Sequence, residues 1–235
     1  MSSLALRVLA LSTMLIDHLG FVFYPLLPLP VFLAMRVVGR LSMPIFCFLI
    51  AEGYYHTRSV GRYIGRLILL AVVAELPYDR VFSGGQSWFN IVDQNVLFTL
   101  ALGLLAIHMC DAFLLRGARG SALLSVMLCA GLAQFMRAGY GMFGVLFIFV
   151  FYCFRDRPAR KAAAFLGLCL TFGLFEYLAE GVDLYWAVVL AGAAAAILPI
   201  LFFNGQRGRG GKLAQSVFYL FYPVHLALLA LFAPI

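Results

Sequence analysis

The stretch QNVLFTLALGLLAIHMCDA, residues 94–112, decides the fold class. Between Asn95 and Asp111 it holds no Asp, Glu, Lys or Arg. A helix of about 20 apolar residues is what crosses the hydrocarbon core of a bilayer. Outward from it, similar runs recur at roughly 4–24, 30–53, 62–80, 121–137, 140–154, 160–179, 184–203 and 213–233, making about nine spans in all. The chain is 64% hydrophobic and 11% charged, whereas a soluble domain is about 45–50% apolar and 25% charged. A water-soluble fold of 235 residues could not cover so much apolar side chain. The runs are long and continuous, unlike the short alternating segments of a β-barrel. The expected fold is all-α: a polytopic transmembrane helical bundle in one domain, 1–235, with no shift in composition to mark a second.

The charges give the spans a direction. With a cytoplasmic N-terminus, the even-numbered connections are cytoplasmic as well. That side then holds Arg7, Arg58, Arg62, Arg66, Arg116, Arg119, Arg155, Arg157, Arg160, Lys161, Arg207, Arg209 and Lys212, thirteen of the 17 cations. Arg80 and Arg137 fall opposite, with the acidic Glu176, Glu180 and Asp183. This is the positive-inside asymmetry, and it leaves the C-terminus outside. The net charge of +7 is therefore mostly a topology signal, and no soluble basic face is left for nucleic acid. The segment from Gly205 to Lys212 lacks the spacing of a phosphate loop and reads as a cytoplasmic loop. Arg7 precedes a long apolar run with no small-residue cleavage site, which reads as a retained first span. The five cysteines lie in apolar stretches and read as buried small side chains. No cluster has metal-ligand spacing, so no metal is expected.

Charged groups inside spans are expensive, about 2.5–3.5 kcal/mol each on insertion scales, and mark cavities or partners. Asp17 and His18 lie about 20 Å along the first span, in its outer half. Arg36 and Arg40, one turn apart, enter the second at similar depth. Glu75 and Asp79 close the third span, Gln94 and Asn95 open the fourth, and Tyr140 opens the sixth. His225 follows Tyr222-Pro223 in the ninth, where the proline can free a carbonyl. One reading of this outer group is a set of ion pairs holding the bundle, Asp17 with Arg36 or Glu75 with Arg40. The other is a reactive polar cavity with His18 as general base. Asp17 sits about 100° around the helix from His18, so Glu75 or Asp79 would orient the imidazole equally well. An inner group, Glu52, His56, Arg58 and Arg62, reads as a solvated loop or as a site for a phosphorylated cytoplasmic molecule.

Several segments together resemble the TraX family of conjugative-pilus proteins, including its TrbP-like members. They are Met14-Leu15-Ile16-Asp17-His18-Leu19-Gly20, Arg36-Val37-Val38-Gly39-Arg40 with Pro44-Ile45-Phe46, Glu52-Gly53 with Thr57-Arg58, Glu75-Leu76-Pro77-Tyr78-Asp79, Gln94-Asn95-Val96, Tyr140-Gly141, and the run from Gln215 to Leu226. Residues 155–212 carry little of the likeness. The resemblance implies a bacterial inner-membrane enzyme, related to membrane acyl-CoA acyltransferases, that acetylates the N-terminus of a pilin subunit. Acetyl-CoA would be the co-substrate, and the pilin and membrane lipid the partners. The C-terminus would then be periplasmic. On that reading His18, Asp17, Glu75 and Asp79 carry the catalysis. Arg36, Arg40, Gln94, Asn95, Tyr140, Tyr222 and His225 meet substrate or oxyanion, and Glu52, His56, Arg58 and Arg62 meet the cofactor. Rival readings are head-to-tail cyclisation of the pilin at the same site, O-acylation of a sugar or lipid, and a non-enzymatic assembly chaperone or transporter.

Overall fold

The apolar runs become helices bounded by caps and prolines. The computed structural model describes residues 1–180, 184–206, 208 and 212–232. Asp183, Arg207 and Arg209, assigned to connections above, lie outside the described residues. Regular structure among the described residues is helical throughout: α1 Ser3–Val22, a 3-10 turn Tyr24–Leu26, α2 Leu29–Gly39, α3 Ser42–His56, α4 Val60–Phe82, α5 Val96–Leu115, α6 Arg119–Phe135, α7 Gly141–Cys153, α8 Pro158–Glu180, α9 Leu184–Ala195, α10 Ile197–Leu201 and α11 Lys212–Ala230. Ser2, Ser59 and Asn95 cap α1, α4 and α5, each side-chain oxygen accepting a backbone N–H of the first turn.

Each expected run coincides with helix, but two are interrupted. The second breaks at Arg40-Leu41 and the eighth at Ala196. Both breaks have one cause. Pro44 and Pro199 are each the third residue of the following helix, and a proline ring clashes with the carbonyl four residues earlier. Four helical stretches are long and apolar enough to cross a bilayer: Ser3–Val22, Leu29–His56, Val96–Leu115 and Pro158–Leu178. The protein is a helical membrane protein.

The connections bond in two sets. At one end Ser3 N–H donates to Gln206 O (2.8 Å), and Asn204 N–H donates to Met1 O (2.9 Å). At the same end Tyr54 and Tyr152 both donate to the Asp111 carboxylate, at 2.8 and 3.0 Å, and Arg155 forks onto Glu52 at 2.9 and 3.2 Å. At the opposite end Asn90 N–H donates to Asp79 (2.7 Å), Arg137 pairs with Asp93 (2.8 Å), and Gly139 N–H donates to Gln94 O (3.1 Å). These are called the amino-terminal end and the α4–α5 end below.

Between the ends, Phe48, Phe147, Phe151 and Phe165 are fully buried and join α3, α7 and α8. Phe151 stands 5.2 Å from Phe165 and 5.7 Å from Phe48, centroid to centroid. Lipid tails are as apolar as these rings, so the contacts stabilise by close dispersion packing. Leu123, Leu124, Met127 and Leu128 of α6 face outward, as lipid-facing residues do. All five cysteines are free thiols; four are buried, and Cys153, expected to be buried, is exposed at the end of α7.

Gly39 sets the closest approach of α2 to α1. A Cβ there would stand 2.2 Å from the Cβ of Asp17. Gly39→Ala should therefore lower thermal stability in detergent by about 1–3 kcal/mol, as overpacking does. Gly131→Ala in α6, where the added methyl meets nothing within 4 Å, should be neutral or slightly stabilising in the same melt.

Candidate active site

The Gly39 contact brings Asp17 and Arg36 together. Arg36 Nη1 lies 2.9 Å from Asp17 Oδ2, and the two side chains are 7% and 13% exposed. One turn on, Arg40 caps α2, and its Nη1 donates to the Tyr140 hydroxyl at 3.1 Å. Tyr140 is the N-cap of α7 in a left-handed conformation, φ 65°. Such a backbone costs about 1–3 kcal/mol in a non-glycine residue and persists only where its surroundings impose it. Here Thr99 Oγ1 donates to the preceding carbonyl, Gly139 O, at 2.7 Å, and Gly139 N–H is held by Gln94 O. Asp17, His18, Arg36, Arg40 and Tyr140 line one cavity of about 400 Å³ near the α4–α5 end. Asp93, Arg137 and Glu176 line it as well.

His18 is buried, and its partner comes from the far end of the sequence. His18 Nδ1 lies 2.8 Å from His225 Nε2. His225 Nδ1 lies 2.7 Å from Phe221 O. The two imidazole planes are 9° apart with centroids 5.0 Å apart. That separation is the N···N distance plus the two ring radii, so the rings lie edge to edge in one plane. Phe82 meets His18 in a T-shaped contact, ring centroids 5.4 Å apart.

A second void, apolar and about 120 Å³, adjoins the first. Met14, Phe46, Val96 and Tyr222 line both. It runs past Leu11, Leu67 and Leu100 to Arg7, Tyr63 and Tyr219 near the amino-terminal end. Arg66 sits over the rings of Tyr63 and Tyr219, at 5.8 and 5.5 Å. It also lines a surface groove with Arg58 and Arg62. Three guanidiniums on one groove favour a phosphate ligand.

Residues 2–233 match the family described as TraX protein. The chain belongs to the TraX family. It is 33% identical over 249 residues to "Probable fimbrial assembly protein FimC, serogroup H1" of Dichelobacter nodosus, covering 97% of this chain and 94% of that protein. It is also 30% identical over 98 residues to "Uncharacterized protein RP591" of Rickettsia prowazekii (strain Madrid E), 42% of this chain and 33% of that one. No solved structure is a significant match.

In this TraX-family chain the expected site residues divide by place. Asp17, His18, Arg36, Arg40, Tyr140 and Tyr222 share the cavity, with His225 behind His18. Glu75 and Asp79 do not orient His18. Glu75 accepts from the Asn95 amide, and Asp79 accepts from Asn90 N–H. Asn95 is fully buried: it caps α5 and donates to Ala71 O, so it is turned away from any oxyanion in the cavity. Gln94 enters through its backbone carbonyl, which anchors Gly139. Among the described residues Glu75 forms no ion pair with Arg40, while Asp17 pairs with Arg36. The inner cluster splits too. Glu52 binds Arg155 and holds the guanidinium pKa above its usual value, His56 lies 3.9 Å from the same carboxylate, and Arg58 and Arg62 face the groove. Arg66 and Tyr63 carried no sequence motif, Tyr219 was only one residue of the run from Gln215 to Leu226, and their grouping emerges only from the packing.

Breaking a buried ion pair from one side costs about 3–5 kcal/mol, because it strands the other charge. Arg36→Ala should lower stability by that order in a detergent melt. Asp17→Asn combined with Arg36→Gln should recover much of the loss.

Proposed function

We propose that this chain is a membrane-embedded acetyltransferase that modifies the N-terminal amine of a pilin subunit with acetyl-CoA as donor. The observation that carries the reading is the cavity. It collects a histidine, two arginines and a tyrosine hydroxyl from three helices, and adjoins an apolar void whose far lining, Tyr63 and Tyr219, lies beneath Arg66 of the arginine groove. Membership of the TraX family and similarity to a protein named for fimbrial assembly support a pilus-related role.

In this reading the bundle crosses the bacterial inner membrane nine times, N-terminus in the cytoplasm and C-terminus in the periplasm. The acyl donor enters from the cytoplasm with its phosphates against Arg58, Arg62 and Arg66. Its arm follows the apolar void toward His18, and the pilin amine arrives from the other side. His18 takes a proton from the amine as nitrogen attacks the thioester carbonyl. Arg40 and Tyr140 meet the oxyanion, and one such donor is worth roughly 10²–10³-fold in rate. The intermediate collapses to the amide. The thiolate leaves as thiol, taking the proton back from His18.

Intact-mass measurement of the partner pilin, produced with and without this protein, is the test. A gain of one acetyl group is expected, and it should vanish with His18→Ala while the variant still accumulates folded in membranes. Loss of one water would instead mean head-to-tail cyclisation, and an unchanged mass would mean an assembly chaperone or another substrate. Arg62→Ala and Arg66→Ala should raise KM for acetyl-CoA several-fold with little change in kcat.

A further inference from the structure

The hydrogen bonds around His225 have a direction. Phe221 O is a carbonyl and can only accept, so His225 Nδ1, 2.7 Å away, carries the proton. As a neutral ring His225 then has a bare Nε2. The His18 nitrogen 2.8 Å from that lone pair is Nδ1, which must donate. A doubly protonated His225 would reverse this bond, but among the described residues no acid hydrogen-bonds either ring. The ring neighbours of the pair are Phe82, Phe221 and Tyr222. A bare imidazolium buried among apolar rings is strongly disfavoured.

We infer that His225 is a positioning residue: it holds His18 in the tautomer with a proton on Nδ1 and a free lone pair on Nε2. Three features support the role. The rings are coplanar, which is the geometry of a directed N–H···N bond. Both rings are buried, at 9% and 5% exposure, so no water competes for Nδ1. His225 lies outside the cavity lining while His18 lies in it, so only the His18 ring meets a ligand there. The chain of bonds ends on a carbonyl, which cannot pass a proton on. His225 is thus a clamp and not a shuttle. The second imidazole does here what a carboxylate does for a base in an aqueous cleft, without adding a negative charge beside the Asp17–Arg36 pair.

The inference rests on the proposed role of His18 as base, but its test does not need turnover. Nitrogen-15 NMR of histidine-labelled protein in lipid nanodiscs reads the tautomer directly. In the wild type His18 should show a protonated Nδ1 and an unprotonated Nε2. In His225→Leu, of similar bulk, that signature should give way to a tautomer mixture. In His225→Gln, whose amide oxygen can accept from Nδ1–H, it should persist. A wild-type His18 protonated on Nε2, or a signature unmoved by His225→Leu, overturns the proposal whatever the reaction proves to be. Where turnover is measured, His225→Leu should lower kcat by roughly 10²-fold with little change in KM for acetyl-CoA, and His225→Gln should restore most of it. An unchanged kcat in His225→Leu means that His225 serves only to fill space, and equal loss in both variants means that an acceptor at this place is not what His18 needs; either overturns the proposal.

Discussion

A buried charge in a lipid environment is tolerated with a partner at contact distance, and the Asp17–Arg36 pair meets that condition here. Much of the site's geometry follows from it. The pair forms because Gly39 lets α2 settle onto α1. Arg36 is thereby held, and Arg40, one turn along, is carried to Tyr140. His18, next in sequence to Asp17, is turned by helical geometry to a different direction, where α11 supplies His225. One close contact between two backbones therefore positions His18 and the cationic side of the cavity together.

The cavity combines rigid and strained parts. The left-handed Tyr140 backbone is held by Thr99, Gln94 and the Asp93–Arg137 pair, each at a helix start or in a connection. The Tyr140 hydroxyl itself is held by the Arg40 guanidinium, which donates to it at 3.1 Å. The two proline-bounded breaks belong to the same design. The break after Arg40 ends α2 where the guanidinium lines the cavity, and α3 carries the span on toward the amino-terminal end.

Helices and their limits were legible in the sequence because membrane insertion is read from local composition. Every run came out helical, and even the breaks at Arg40 and Ala196 had a local cause in Pro44 and Pro199. The depth of charged groups was legible as well, since rise per residue is fixed. It gathered Asp17, His18, Arg36, Arg40 and Tyr140 correctly. Depth does not give azimuth, however. Glu75, Asp79 and Asn95 lie at the right level but point into the α4–α5 connection. The partner of His18 is 207 residues away, and Arg155 finds Glu52 across 103. Such pairings depend on which helices become neighbours, and hydropathy says nothing about that.

The four side chains shared by the two voids, Met14, Phe46, Val96 and Tyr222, have a consequence for the cell's energy economy. A polar chamber near one face and an arginine groove near the other would short-circuit the membrane if water linked them, because each charge crossing carries about 2.3 kcal/mol per 100 mV. A narrow passage walled by methionine, phenylalanine, valine and leucine holds water poorly. Such an apolar stretch between the polar cavity and the arginine groove denies protons and ions a conducting path.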